Sequence, residues 1–391
     1  LPLKILFKMK IAVFVNSRAN YGRIKSFLYE VKKSSKLDLK LVVGASGLLS
    51  KYGKVVDIIR EEGFKVDAEL HSVIEGDLPI SMAKSTGLGI IEAATAIETL
   101  NPDAVLTIAD RYETLATAVA ASYANISLIH LQGGEITGNI DEKVRHSVSK
   151  LADHHIVCTE RSKEILIRMG EDPSCIINLG CPSIDIAKEV MDNKDIYLKK
   201  QIVKNEEKIG VMIDEKKDFI VALQHPVTTQ YESTRDQIVE TIQAVEELGM
   251  QCYWFWPNPD SGTDVISKEL RKWREKSSLA KVAFVKDLSS KNFLGLLLKS
   301  KCLIGNSSVG IRESSFLGVP VVNIGYRQDG REKADNVINC SNKANDIVKS
   351  CKKIMEKKIK SSNLYGDGDS SERIAEYIST LKVKNVKRFI L

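Results

Sequence analysis

Ile126-Ser127-Leu128-Ile129-His130-Leu131-Gln132-Gly133-Gly134-Glu135-Ile136-Thr137-Gly138-Asn139-Ile140-Asp141 runs from an apolar segment straight into a crowded polar one, with Arg145 and His146 close behind. A short apolar run bounded by glycines reads as a buried strand. Two histidines, two carboxylates, two side-chain amides and three glycines therefore gather at a strand exit, where open α/β sheets bind ligands. A hydrophobic core needs no such group, whereas proton transfer on a bound polar substrate does.

Outward from this stretch the same rhythm repeats. Apolar runs at residues 11–15, 39–43, 104–109, 126–131 and 156–158 alternate with stretches of three- and four-residue apolar spacing at 22–33, 51–62, 81–100 and 112–124. Strand alternating with helix predicts βαβ units and a mainly parallel sheet. A lysine-rich region, 188–217, marks a boundary, and a second series follows. Its expected strands are 219–223, 251–256, 282–285, 302–304 and 319–324, and its expected helices are 233–248, 264–276, 292–299 and 309–317. The expectation is an α/β chain of two Rossmann-like domains, residues 1–185 and 186–369, whose parallel sheets face a central cleft. The last segment, 370–391, is helical by pattern and is expected to cross back to the first domain.

Composition narrows the function. The 391 residues are 43% hydrophobic and 28% charged with a formal charge of +6, and the lysines are scattered without interleaved aromatics, which argues against a nucleic-acid partner. Seven cysteines without a C-x-x-C pair suggest reduced thiols and a cytoplasmic protein. No apolar run reaches the ~20 residues of a transmembrane helix, so no membrane partner is expected. Met9-Lys10 before the first strand reads as the natural start, with Leu1 to Lys8 an extension.

Each candidate functional residue follows a strand. The loop Asn16-Ser17-Arg18-Ala19-Asn20-Tyr21-Gly22 lacks the G-x-G-x-x-G fingerprint, disfavouring a nicotinamide cofactor, and Arg18 is either a phosphate clamp or an exposed loop residue. Asp110, at the end of the third strand, is either the N-cap of the helix 112–124 or a catalytic carboxylate. In Gln224-His225-Pro226-Val227-Thr228-Thr229, Pro226 fixes the turn and His225 suits phosphate binding or proton transfer. Gly305-Asn306-Ser307-Ser308-Val309-Gly310-Ile311-Arg312-Glu313 joins strand to helix, a junction whose backbone N–H groups favour a diphosphate. Glu313, one and a half turns into that helix, is placed to accept both hydroxyls of a ribose; the alternative is Ser308 as an N-cap with Glu313 exposed. Asn258, Asp260 and Ser261 lie in a turn-rich loop on the same rim, and Arg327 and Arg331 suit an anionic ligand. No metal-ligand spacing, nucleophile elbow or Walker loop occurs, which leaves a cofactor-free reaction on a nucleotide-linked substrate.

Together these motifs resemble the hydrolysing UDP-N-acetylglucosamine 2-epimerases of sialic-acid biosynthesis. The likeness rests on Ser17-Arg18-Ala19-Asn20-Tyr21, Asp110-Arg111, the block from His130 to His146, Leu223 to Thr229, Gly305 to Ser308 with Arg312-Glu313, Arg327-Gln328 with Gly330-Arg331, and Tyr365-Gly366-Asp367-Gly368. The resemblance implies a GT-B-like fold that binds UDP-N-acetylglucosamine and UDP between its domains. The implied reaction is anti elimination of UDP to a 2-acetamidoglucal, then hydration to N-acetylmannosamine, by a homodimer or homotetramer. It further implies that Asp110 and Asp141 belong to the acid/base set and that His225 assists departure of UDP. Arg18, Ser307 and Ser308 would hold phosphate oxygens and Glu313 the ribose, while His130, Arg145, His146 and Asn306 would line the substrate site. The best-known family members carry glutamate, as a further catalytic carboxylate, where this chain has Gln132, and an amide cannot take up a proton at neutral pH. Either Glu135 assumes more of that role or Gln132 only positions substrate. Three other activities share the cleft: hydrolytic 2-epimerisation of a UDP-2,4-diacetamido sugar, a non-hydrolysing epimerase, and a GT-B glycosyltransferase. A non-catalytic nucleotide-sugar sensor is the remaining alternative.

Overall fold

The computed structural model describes residues 8–76, 79–138, 140–257, 262–276, 281–286, 288–383, 387–388 and 390. The first half forms a sheet of β1 (Met9–Val15), β2 (Leu37–Gly44), β3 (Ala68–Leu70), β4 (Ala104–Ile108), β5 (Ser127–Leu131), β6 (His154–Val157) and β7 (Ile176–Asn178). Their order is β3-β2-β1-β4-β5-β6-β7 and every pair is parallel. The crossovers are α1 (Arg18–Lys33), α2 (Val55–Glu61), α3 (Pro79–Leu100), α4 (Tyr112–Tyr123), α5 (Ile140–Leu151) and α6 (Glu160–Arg168).

After α7 (Pro182–Asp192) and α8 (Lys194–Lys199), a second sheet comprises β8 (Lys208–Gly210), β9 (Phe219–Leu223), β10 (Gln251–Phe255), β11 (Val282–Val285), β12 (Cys302–Gly305), β13 (Val321–Ile324) and β14 (Val337–Cys340). It is ordered β14-β13-β12-β9-β10-β11-β8, parallel except for β8, which pairs antiparallel with β11 at one edge. Its helices are α9 (Thr234–Leu248), α10 (Thr263–Lys276), α11 (Ser290–Lys299), α12 (Glu313–Leu317) and α13 (Ala344–Met355), and the chain ends with α14 (Ser370–Thr380), which returns to the first sheet. Two Rossmann-like domains with parallel sheets result.

Parallel strands are buried on both faces because crossover helices cover each side. Along β1, Ile11, Val13 and Val15 pack with Ile24, Phe27 and Leu28 of α1, while Ala12 and Phe14 pack with Ala93, Ala96 and Ala118 of α3 and α4. Burying such a side chain stabilises by about 1.5–3 kcal/mol. The second domain repeats the arrangement around β9, with Phe219 and Val221 facing one cluster and Ile220 and Ala222 the other. Ile374, Ala375 and Ile378 of α14 lie in the same core as β1 and α1. The Asp185 carboxylate accepts from the amides of Ser370 (2.9 Å) and Ser371 (2.7 Å) and so starts that helix.

Strand order reverses between β1 and β4 in one sheet and between β9 and β12 in the other. Such reversals open the crevices where α/β sheets bind ligands. The loops at these two points begin at Asn16, Ala109, Gln224 and Asn306.

Several boundaries differ from expectation. Helix α1 begins at Arg18, not Gly22, because the Ser17 hydroxyl accepts from the Asn20 amide at 3.2 Å and caps it. The expected helix 309–317 splits into a 3-10 turn, Ser308–Gly310, and the five-residue α12. Strands β3, β7, β8 and β14 were not expected; three have only three residues, too few for a period-2 pattern, and β14 carries no fully buried residue. Among the described residues, no helix is long and apolar enough to cross a membrane.

Candidate active site

Two adjacent strands of the first domain end in left-handed non-glycine residues, Ala109 (φ 68°) after β4 and Gln132 (φ 71°) after β5. Such backbone costs about 1–3 kcal/mol and persists only where surroundings over-determine it. Here the Ala109 amide donates to Leu131 O (2.9 Å) and the Gln132 amide to Ile156 O (2.9 Å). His130 adds the third restraint. Its Nε2–H donates to Ala109 O at 2.9 Å, which leaves Nδ1 to accept from the Ser149 hydroxyl at 3.0 Å. Complete burial pushes the His130 imidazole down to about 3, so it stays neutral and keeps this tautomer. His130 is thus a strut beneath the site, with both ring nitrogens engaged by protein. Gly133 must be glycine because a Cβ there would lie 2.8 Å from Ser149 Oγ and 2.9 Å from His130 Nδ1.

The second domain contributes the opposite wall. Gly305 adopts φ 143°, and a Cβ on it would fall 1.9 Å from Leu223 O, so β9 and β12 approach each other only because this residue is glycine. Asn306 then clamps the next loop, its Oδ1 accepting from the His225 amide (2.7 Å) and its Nδ2 donating to His225 O (2.8 Å). The Asn306 side chain, expected to line the substrate site, is therefore used to fix His225. Its carbonyl accepts from Arg327 Nη1 (3.2 Å) and Gln328 Nε2 (2.9 Å). The Ser307 hydroxyl accepts from the Val309 amide, and the Ser308 hydroxyl accepts from Arg23 Nη2 at 2.9 Å. With only a 3-10 turn here, no long helix dipole points at the junction. Glu313 is the first residue of α12, not an interior one; it is 8% exposed and its Oε2 has no hydrogen-bond partner among the described residues.

Between the walls lies a buried charge cluster. Asp110 Oδ2 accepts from Arg145 Nη2 of its own domain and from Arg331 Nη2 (3.3 Å) of the other. Glu135 accepts from Arg312 Nη2 through both oxygens (2.6 and 2.7 Å), and Arg331 Nε lies 2.8 Å from Glu135 Oε2. Arg312 Nη1 also donates to Gln132 Oε1 (2.9 Å), while Gln132 Nε2 donates to Cys181 Sγ (3.1 Å). Arg145 Nη1 reaches Glu135 O at 2.7 Å and Thr137 Oγ1 at 3.3 Å. Burial alone would raise both carboxylates. The arginines outweigh it, holding Asp110 well below the carboxylate range through Arg145, Arg331 and Arg23, and bringing Glu135 to about 2 through Arg312, Arg331 and Arg145. Both are ionised at neutral pH and can accept, not donate, a proton.

Asp110 does not cap α4: the N-cap position is Arg111, which makes no side-chain capping bond. Asp141 is half-buried in the first turn of α5 and feels the charge of Arg145. His146, one turn on, sits 3.7 Å from Glu142 Oε1, and burial followed by Arg145 lowers its basicity. Arg18 is no exposed loop residue; it reaches across to Leu288 O at 2.7 Å. Asn258, Asp260 and Ser261 lie outside the described residues. Sequence reasoning missed Arg23, Cys181 and the role of Arg312. Arg23 is one helical turn beyond Asn20, on the cap-proximal side of α1, and that spacing from a strand exit was the available signal.

A family model described as UDP-N-acetylglucosamine 2-epimerase matches residues 29–379. The chain is 34% identical over 374 residues to the UDP-N,N'-diacetylbacillosamine 2-epimerase (hydrolyzing) of Legionella pneumophila, covering 95% of this chain and 96% of that one. It is 30% identical to the GDP/UDP-N,N'-diacetylbacillosamine 2-epimerase (hydrolyzing) of Campylobacter jejuni, over 90% and 89% of the two chains. The fold is that of the UDP-GlcNAc 2-epimerase from Neisseria meningitidis bound to UDP-GlcNAc, with TM-score 0.78 at 20% identity, over 95% of this chain and 99% of that one. The chain belongs to the UDP-N-acetylglucosamine 2-epimerase family.

Proposed function

We propose that the protein is a hydrolysing 2-epimerase of a UDP-linked 2-acetamido sugar, with a 2,4-diacetamido hexose as the sugar. The observation that carries the reaction class is the meeting of ionised Asp110 and Glu135 from one domain with Arg331 and Arg312 from the other, Arg312 being next in the chain to Glu313, whose Oε2 has no partner among the described residues. A diacetamido substrate is favoured over UDP-N-acetylglucosamine by the two hydrolysing relatives, both of which are named for N,N'-diacetylbacillosamine.

In this reading the nucleotide lies against the second domain, with Glu313 on the ribose hydroxyls and His225, Ser307 and Ser308 near the diphosphate. A carboxylate of the first domain takes the C2 proton while the C1–O bond to UDP breaks on the opposite face. Arg331 and His225 neutralise charge gathering on the departing diphosphate. Water then adds at C1 of the glycal and a proton returns to the other face of C2, inverting that centre. Asp110 and Asp141 are the proton carriers. Because Asp110 is held ionised, it serves as base first and becomes an acid only after receiving the C2 proton.

The test is incubation of the purified protein in D2O with UDP-N,N'-diacetylbacillosamine and, separately, UDP-N-acetylglucosamine, followed by NMR. The expected result is free UDP plus the manno-configured 2,4-diacetamido sugar carrying deuterium at C2, with kcat/KM at least tenfold above that for UDP-N-acetylglucosamine. Preference for UDP-N-acetylglucosamine overturns the sugar assignment. Intact UDP-mannosamine product, or UDP binding without turnover, overturns the hydrolytic reading.

A further inference from the structure

We propose that Arg312 is a positioning residue that transmits nucleotide occupancy in the second domain to the acid/base loop of the first. The proposal rests on the hydrolysing 2-epimerase reading above and deepens it. Arg312 stands beside Glu313 and four residues after Ser308, so one short segment carries the groups assigned to ribose and phosphate together with this guanidinium. That side chain is 1% exposed and crosses the cleft to Gln132 Oε1 and both oxygens of Glu135. The Tyr365 ring backs it, with the guanidinium carbon 5.9 Å from the ring centroid, and the Tyr365 hydroxyl donates to Glu332 O at 2.7 Å.

Nη2 serves both Glu135 oxygens while Nη1 serves Gln132 Oε1, so the planar guanidinium ties these two side chains in a fixed relation to each other. Gln132 and Glu135 flank the closely packed Gly133-Gly134 pair, where Gly134 takes φ 77° and a Cβ on it would fall 2.2 Å from Ser162 O, so both side chains leave one tight turn and are held across the cleft by Arg312. A ligand that pulls on residues 307–313 therefore shifts the donor that orients residues 132–135. The two terminal nitrogens have distinct jobs: Nη2 neutralises Glu135, and Nη1 fixes the orientation of the Gln132 amide, whose Nε2 then meets Cys181 Sγ.

The experiment compares wild type with Arg312→Met, Arg312→Lys, Glu135→Gln and Arg312→Met/Glu135→Gln, using turnover, UDP affinity by calorimetry and amide hydrogen exchange of residues 131–138 with and without UDP. In wild type, UDP is expected to slow exchange in that segment. Arg312→Met is expected to lose at least 30-fold in kcat, keep UDP affinity within threefold and lose the UDP-induced protection. Arg312→Lys, which restores charge without the planar fork, is expected to fall between. The double variant is expected to be no slower than Glu135→Gln alone, and it removes the unpaired carboxylate should Arg312→Met fold poorly. Retained protection in Arg312→Met, kcat within threefold of wild type, or a parallel fall in UDP affinity and kcat overturns the proposal. Wild type that binds UDP and shows protection but does not turn over defeats the hydrolase reading while leaving the coupling intact.

Discussion

At the residue scale, Asp110 and Gln132 are defined by their partners more than by their chemical type. Asp110→Asn is expected to lower kcat by about 10²–10⁴ while retaining UDP affinity, the range for losing a positioned acid or base. Thermal melting separates that loss from instability, since removing one partner of a buried ion pair costs about 3–5 kcal/mol. Gln132→Glu introduces the carboxylate that the family resemblance implies at this position, yet it sets a second carboxylate beside Glu135 to compete for Arg312. We expect Gln132→Glu to destabilise by about 1–3 kcal/mol, because its neighbours are arranged for an amide, and to turn over more slowly. Equal stability with faster turnover would show that position 132 works directly on the substrate. The departure from the family pattern was visible in the sequence; its accommodation, through Arg312 on one side and Cys181 on the other, was not.

At the scale of elements, the exits of β4, β5 and β12 are set by backbone that a regular strand cannot adopt. Ala109 and Gln132 are held left-handed by neighbouring strands and by His130. Gly305 is forced by the closeness of Leu223 O. Gly305→Ala is accordingly expected to destabilise by more than about 3 kcal/mol, measured by urea denaturation, since both its φ and its space exclude a Cβ. His130→Gln is expected to cost about 1–3 kcal/mol, leaving Ala109 O or Ser149 without its partner. Most elements were legible from apolar periodicity, including β1, β5, β9 and α9. The break between the 3-10 turn and α12 was not, because residues 309–317 have good helical spacing; it falls at Arg312, whose side chain reaches across the cleft to Glu135.

At the scale of the whole molecule, the buried charges link stability to pH. His130 stays neutral down to about pH 3, whereas in the unfolded chain it takes up a proton near 6.5. Between those values only the unfolded chain binds that proton, so stability falls as pH drops through this window. Glu135, depressed to about 2, adds stability that is present above about 4.5 and lost as pH falls from there. The urea midpoint is therefore expected to decline from pH 7.5 to 5 and more steeply below 4.5, with His130→Gln flattening the upper part. A midpoint independent of pH over 7.5–5 would contradict the enclosed, neutral imidazole. Salt is expected to have little effect at neutral pH, because buried pairs are poorly screened.

The amino-acid sequence by itself determined the alternation of strand and helix, the two-domain α/β architecture, and the polar clusters at strand exits. These follow from local periodicity and from residues adjacent in the chain. Only the tertiary structure decided which guanidinium meets which carboxylate. Arg312 and Glu135 are 177 residues apart, and Arg331 and Asp110 are 221 apart. No local preference encodes such a pairing. It arises because both sheets reverse strand order facing one cleft, and burial there leaves each charge no alternative to the opposite charge across from it.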